Sequence, residues 1–325
     1  LFFTKNKEHK ISRGDEVIVP AVSWSTTYFP LQQYGLKVKF VDIDIDTLNF
    51  DLKALKDSIS DKTKLIFAVN LLGNPNNFKE ISKIIENRSI ILIEDNCESM
   101  GAKFNNQFAG TFGLMGSFSS FFSHHISTME GGMILTNDDE LFHILLTLRA
   151  HGWTRNLPIK NLVTGEKEDD EFKESFKFVL PGYNVRPLEM SGAIGLEQLK
   201  KLPNFLKQRI KNAELFTSLF SNHPFIRIQK SIDESSWFGF SLILKESSPK
   251  TREEIIDVLK KNQIDTRPIV TGNFVDNEVL DYFDYEVHKE MINADYLDKN
   301  GFFVGNHQND LTSEIQHLHK VLSYL

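Results

Sequence analysis

The sequence predicts an α/β fold: a mainly parallel sheet in a large domain, joined to a smaller α+β domain at the C-terminus. Three observations carry this. Short apolar runs at 16–20, 37–42, 64–69 and 90–95 alternate with stretches of helical spacing. The loops between them are short, the signature of strand–helix–strand units with helices on both faces of a parallel sheet. Finally, a long helical stretch over 188–221 leads into a region of mixed short strands and helices at 225–325.

Element by element, Glu16-Val-Ile-Val-Pro20 reads as a buried strand closed by proline, and the helical run after Trp24 ends at Gly35. Lys37 to Asp42 alternates as the next strand. Asp51 caps a helix over 52–59, and the strand at 64–69 is followed by the loop Leu71-Leu-Gly-Asn-Pro75. A helix over 78–86 precedes the strand at 90–95, which ends on Glu94 and Asp95. Ser117 to Ser123 reads as a buried strand leading to a turn at His124-His125, and Glu130-Gly131-Gly132 bends into a strand at 133–136. A helix spans 138–151, and 156–177 is polar enough to be a loop. The long helix should break or kink at Pro203. Further strands are expected at 225–229, 237–244, 266–270 and 302–304, with helices at 252–262 and 312–325. The domain division predicted is 1–200 and 201–325.

Composition narrows the function. Of the 325 residues, 41% are hydrophobic and 25% charged, ample for a large core. A net charge of −7 without basic clusters argues against nucleic acid and anionic membranes as partners. No apolar run has the length of a membrane span. The single cysteine, Cys97, excludes an intramolecular disulfide and any four-cysteine cluster built by this chain alone, which fits a soluble, cytoplasmic protein. The chain begins at Leu1 without methionine, and Leu1-Phe-Phe-Thr reads as the tail of an amphipathic element, so an N-terminal piece is expected to be missing. Gly110, Gly113 and Gly116 lack the spacing of a dinucleotide fingerprint and are assigned to a turn.

Four stretches then fall in a telling order: Pro20-Ala-Val-Ser-Trp24, Glu94-Asp95-Asn-Cys-Glu98, Ser119 through His124-His125 to Glu130-Gly-Gly132, and Gly182-Tyr-Asn184. Over essentially the whole chain this pattern resembles the DegT/StrS family of pyridoxal-phosphate sugar aminotransferases, which have the type I aminotransferase fold. The resemblance implies that Asp95 pairs with the pyridine nitrogen of pyridoxal 5'-phosphate, keeping it protonated so that the ring accepts electrons. It places Trp24 on the ring face, Glu98 near the phenolic oxygen and Ser119 at the phosphate. Asn184 would reach the phosphate of a neighbouring subunit, which implies a homodimer. The family carries a further unit before the first strand here, holding part of the phosphate site.

One departure changes the expected reaction. The aminotransferases carry their cofactor-anchoring lysine where this chain has His124, and no lysine lies between Lys103 and Lys160. The His-His version resembles the branch that removes the C3 hydroxyl from nucleotide-linked 4-keto-6-deoxyhexoses for 3,6-dideoxysugar and surface polysaccharide synthesis. There the working cofactor is pyridoxamine 5'-phosphate, and histidine serves as base and then acid. Members of that branch that use an iron–sulfur cluster carry cysteines just after the segment matching 149–155. Residues 156–183 contain none, so the expectation is a cluster-free cycle in which L-glutamate restores the amino group. The role of His125 stays open, and Arg267 is a candidate for the sugar-nucleotide diphosphate. No metal site is expected. A non-catalytic relative that binds pyridoxal phosphate or a sugar nucleotide is the alternative, and a nicotinamide oxidoreductase a weaker one.

Overall fold

The computed structural model describes residues 1–325. Its large sheet has seven strands in the order Tyr285–Val287, Lys37–Val41, Glu16–Pro20, Thr63–Val69, Ile91–Asp95, Met115–Ser119 and Gly132–Leu135. Every neighbouring pair is parallel except the last. Successive strand residues enter different cores: Val17 and Val19 pack in one apolar cluster and Ile18 in another, and Leu65 and Ile66 divide in the same way. Helices or loops therefore cover both faces, as a parallel sheet requires. Polar caps start three of the helices around this sheet. Asp51 accepts from the Lys53 and Ala54 amides ahead of Leu52–Ser58, Asn77 caps Phe78–Ile85, and Asp138 caps Asp139–Leu148.

The register sets the height of the site. Ala68 lies opposite Glu94, Val69 opposite Asp95, and Asp95 opposite Ser117, so two parallel strands end at one level and the third runs two residues past it to Ser119. Ligands gather at such carboxyl ends. Directly behind that rim, the glycine segment expected as a turn over 110–116 is one only to Leu114, Gly116 lying in the strand Met115–Ser119, and its purpose is now visible. Glu94, 1% exposed, accepts the backbone N–H groups of Gly110 (2.6 Å), Phe112 (2.6 Å) and Gly113 (2.8 Å). A Cβ on Gly116 would lie 2.0 Å from the Gly110 carbonyl oxygen, so only glycine lets the strand and this loop approach.

The second layer is a three-stranded antiparallel sheet of Ile226–Arg227, Gly239–Leu244 and Gly301–Gly305. It packs on the helices Arg252–Lys261 and Thr312–Ser323 and on the end of the long helix, around Phe216, Phe220, Phe240 and Phe302. Residues 273–297 lie in the C-terminal stretch but return to the large sheet. Phe274, Leu280 and Met291 join its core, and Tyr285–Val287 pairs with Lys37–Val41 as an edge strand that pattern reading passed over.

Three other expectations are corrected. The helix Glu189–Phe220 runs through Pro203 without a break; that residue is exposed, so the carbonyl one turn back can be met by water. The strand expected at 266–270 reduces to one bridge between Arg267 and Phe303, because Pro268 has no N–H to continue the ladder and Val270 has φ 45°. The strand expected from 237 starts at Gly239, since Trp237 sits at φ 49°. Within 156–177 a two-residue hairpin and the one-turn helix Glu171–Glu174 organise the polar loop.

Replacing Glu94 with alanine leaves three buried N–H groups without an acceptor, and should lower stability by about 3 kcal/mol or more in urea unfolding.

Candidate active site

Asp95 ends the strand Ile91–Asp95, and two groups fix its carboxylate from outside that strand. Thr27 Oγ1 donates to Oδ2 at 2.6 Å, and the Cys97 amide donates to Oδ1 at 3.1 Å. Thr27 is itself bonded to Ser23 Oγ (2.7 Å), one turn back at the start of the helix Ser25–Gln33. Trp24 sits between them at the N-cap position, its indole 58% exposed. The carboxylate and the free indole face therefore arise from one strand–helix junction. Sequence reading found Trp24 and Asp95 but missed Thr27; its only local mark is the Ser23–Thr27 spacing of one helical turn.

His124 comes to this site from the turn after Met115–Ser119. Its Nδ1 lies 2.7 Å from the carbonyl oxygen of Cys97, two residues beyond Asp95. A carbonyl can only accept, so Nδ1 carries the proton in the neutral ring and the Nε2 lone pair remains available as a base. Burial holds the His124 pKa below its usual value; the Cys97 hydrogen bond and the Asp95 charge oppose that shift, and the Arg209 charge adds to it. The neutral, proton-accepting form is thereby favoured near neutral pH.

His125 has a different environment. It is 1% exposed, its Nε2 donates to the Ser236 carbonyl at 3.2 Å, and Nδ1 has no partner. Burial first, and the Arg209 charge second, push its pKa down to about 3. It is a neutral packing group that joins the turn to the 235–238 bend.

Glu98 accepts the Leu72 amide at Oε2 (2.9 Å). Desolvation pushes its carboxyl pKa up to about 7; the Leu72 bond opposes this and the Asp95 charge reinforces it. Leu72 reaches it from a left-handed conformation (φ 53°), a position that the loop residues 71–75 did not reveal in sequence. Cys97 is no nucleophile, because burial and the adjacent Asp95 charge raise its thiol pKa well above the usual value. Ser119 ends its strand half-buried, and its Oγ accepts only the Phe121 amide at 3.2 Å, leaving its hydroxyl proton free.

The other two candidates stand apart. Asn184 is exposed and within this chain meets only Arg186, at 3.4 Å, and the backbone of Ala150. Arg267 is exposed, held by backbone bonds to Phe303 with its guanidinium in solvent. The chain thus brings Asp95, Glu98 and His124 together at the strand ends, with exposed Trp24 at the start of the helix whose Thr27 holds Asp95. An anchored carboxylate for a ring nitrogen, a bare indole face and a second carboxyl able to hold a proton form a donor set that fits pyridoxal phosphate.

The sequence pattern of the DegT/DnrJ/EryC1/StrS aminotransferase family matches residues 5–321. The chain belongs to that family. GDP-4-keto-6-deoxy-D-mannose 3-dehydratase of Escherichia coli O55:H7 is 66% identical over 323 residues, which are 99% of this chain and 83% of that protein. The enzyme of the same name from Yersinia pseudotuberculosis is also 66% identical, across 99% of this chain and 82% of its own. A solved structure of the E. coli enzyme with bound hydrated PLP superposes with a TM-score of 0.97 at 66% identity, covering 99% of this chain and 82% of that one. An aminotransferase of pseudoaminic acid biosynthesis from Helicobacter pylori shares the fold at a TM-score of 0.84 and 22% identity, over 97% and 81% of the two chains. The expected α/β aminotransferase fold is thereby established.

Between pH 4.5 and about 7 the folded protein holds the Glu98 proton more tightly than the unfolded chain does. More protons bound in the native state means that this residue's contribution to stability falls as pH rises through that window. Glu98→Gln should flatten that slope in urea titrations at pH 5, 6 and 7; an unchanged slope would place the titrating group elsewhere.

Proposed function

We propose that this protein is a pyridoxal phosphate-dependent 3-dehydratase that removes the C3 hydroxyl of GDP-4-keto-6-deoxymannose, with L-glutamate as amino donor. The observation that carries this reading is His124: the Cys97 carbonyl holds it with Nε2 free beside Asp95, where the family's aminotransferases carry lysine. Two relatives are dehydratases of this substrate, and a solved relative, 66% identical and with a TM-score of 0.97, holds a trapped PLP–glutamate geminal diamine. Another related structure replaces an adjacent serine and histidine of the enzyme with asparagine and lysine. The only Ser-His pair in this chain is Ser123-His124.

The cofactor, when bound and aminated, supplies an electron sink conjugated to C4 of the sugar. Asp95 would face its pyridine nitrogen, oriented by Thr27 and the Cys97 amide, which both donate to it. Trp24 would cover one ring face, Ser119 would donate to the phosphate, and Glu98 would hold or release a proton near the phenolic oxygen. His124 Nε2 takes the proton whose removal frees the electrons. The imidazolium formed is stabilised by the Cys97 carbonyl and by Asp95, and it returns the proton to the C3 hydroxyl, which leaves as water. A lysine there would instead return the proton to the sugar carbon and yield an amino sugar.

Asn184 and its surroundings support a homodimer with shared sites. Leu188, Met190, Leu196 and Leu199 are all exposed on one helix start beside it, an apolar surface suited to a second copy. Arg267 would meet the GDP diphosphate. The reading places the protein in the cytoplasm, where nucleotide sugars and glutamate are available.

His124→Asn should abolish C3 deoxygenation of GDP-4-keto-6-deoxymannose while pyridoxal phosphate still binds, as followed by mass spectrometry and absorbance. Unimpaired turnover in that variant would overturn the assignment. Mixing unfolded and refolded His124→Asn and Asn184→Ala chains, each inactive alone, should restore about a quarter of wild-type activity if the sites are shared across a two-fold axis. No recovery would mean that Asn184 does not serve a neighbouring subunit's site.

A further inference from the structure

We infer that Arg209 and Phe238 are positioning residues for His124, Arg209 clamping the 237–238 bend so that the Phe238 ring lies against the imidazole. The inference rests on His124 being the proton-transfer group, but its geometry comes from elements far from the motif. Arg209 lies in the second half of the helix Glu189–Phe220 and is 2% exposed, among the largest fully buried side chains. No carboxylate offsets it. Instead Nη1 donates to the carbonyls of Asn306 (2.8 Å), Phe238 (3.2 Å) and Trp237 (3.5 Å), while Nε has no partner. A buried cation neutralised only by carbonyl dipoles is costly, and a methionine or leucine would pack the same space more cheaply. Its retention calls for a reason beyond packing.

The three carbonyls supply that reason. Trp237 is in the left-handed region at φ 49°, a strained conformation for a tryptophan that surrounding bonds must enforce. Asn306 Nδ2 adds a second donor to the Trp237 carbonyl at 2.9 Å. From the opposite side the Leu72–Gly73 turn grips the same bend: the Phe238 amide donates to the Leu72 carbonyl (3.1 Å) and the Ser236 amide to the Gly73 carbonyl (2.9 Å). A Cβ on Gly73 would come within 2.4 Å of the Trp237 nitrogen. So pinned, Phe238 places its ring 5.0 Å from the His124 ring centroid and 5.8 Å from that of His125. His124 is held between the Cys97 carbonyl and this phenyl ring, with Nε2 left free.

The clamp has an electrostatic side as well. The charged or titratable groups facing His124 are Asp95 from the strand end, Arg209 from the long helix and His125 beside it, with Glu98 next to Asp95. Arg209 opposes protonation of His124, as does the imidazole's burial, to which the adjacent Phe238 ring contributes. Both effects hold the imidazole in its basic form.

The test uses the holoenzyme of Arg209→Met, Arg209→Lys and Phe238→Leu, each with labelled histidine, the His124 signal being assigned by its loss in His124→Asn. The expected result in Arg209→Met and Phe238→Leu is a His124 pKa raised by about half a unit in NMR titration. With it kcat should fall about 10-fold at nearly constant KM. Arg209→Lys, which keeps the charge but has one short donor group, should restore the titration and only part of kcat. Wild-type titration and kcat in a folded Phe238→Leu would overturn the proposal, and that variant decides alone if the Arg209 variants do not fold. A moved titration with unchanged kcat would leave the clamp standing and instead overturn the proton-transfer role of His124.

Discussion

Two consecutive carboxylates at the end of one buried strand govern the arrangement of everything around them. Strand geometry sends Glu94 and Asp95 to opposite faces of the sheet. Glu94 goes to the glycine loop at 110–113, whose three amides it accepts, and so fixes where the next strand begins. Asp95 goes to the opposite side and is anchored by Thr27 and by the Cys97 amide. One carboxylate thereby holds the scaffold and the other presents charge to a ligand. The full burial of Glu94 is tolerable because Gly110, Phe112, Gly113 and Asn70 all donate to it, since an unmatched carboxylate inside the sheet would be severely destabilising.

The chemistry of the site follows from a short path of backbone atoms. Two residues after Asp95, the Cys97 amide donates to the carboxylate while its carbonyl accepts from His124 Nδ1. The same peptide stretch therefore orients both the charge that would face the cofactor nitrogen and the base that would move the proton. Burial lowers the pKa of His124 and raises that of Glu98 to about 7, so near neutral pH the imidazole is favoured in its basic form while the carboxyl can hold a proton. A lysine at position 124 would have the reach to anchor the cofactor; an imidazole, shorter and rigid, stays hydrogen-bonded to the Cys97 carbonyl, which suits it to the proposed proton transfer.

Much of this was open to a reader of the sequence. The apolar runs, their helical interludes and the caps at Asp51 and Asp138 are local patterns, and the first four strands of the large sheet in chain order and the helices between them appear where those patterns put them, whereas the strand expected from Ser117 lies at Met115–Ser119 and the helix after it ends at Leu148. Where local rules misled, a specific physical circumstance intervened. Pro203 lies on an exposed helix face, so solvent can meet the orphaned carbonyl and the helix continues. Tyr285–Val287 is too short to announce itself and becomes a strand only because the edge of Lys37–Val41 is there to pair with.

The order of motifs, the histidine in lysine's place and the single cysteine are all written along the chain, because each depends on residue type and spacing alone. The protonated nitrogen of His124, the proton on Glu98, the anchoring by Thr27 and the Leu72, Arg209 and Phe238 contacts are not. Each of these joins residues tens to more than a hundred positions apart, and each energy depends on burial and direction, which have no periodic trace in a sequence. Folding had to bring the strand ends, the turn and the long helix together before those groups acquired a tautomer, a charge state or a partner.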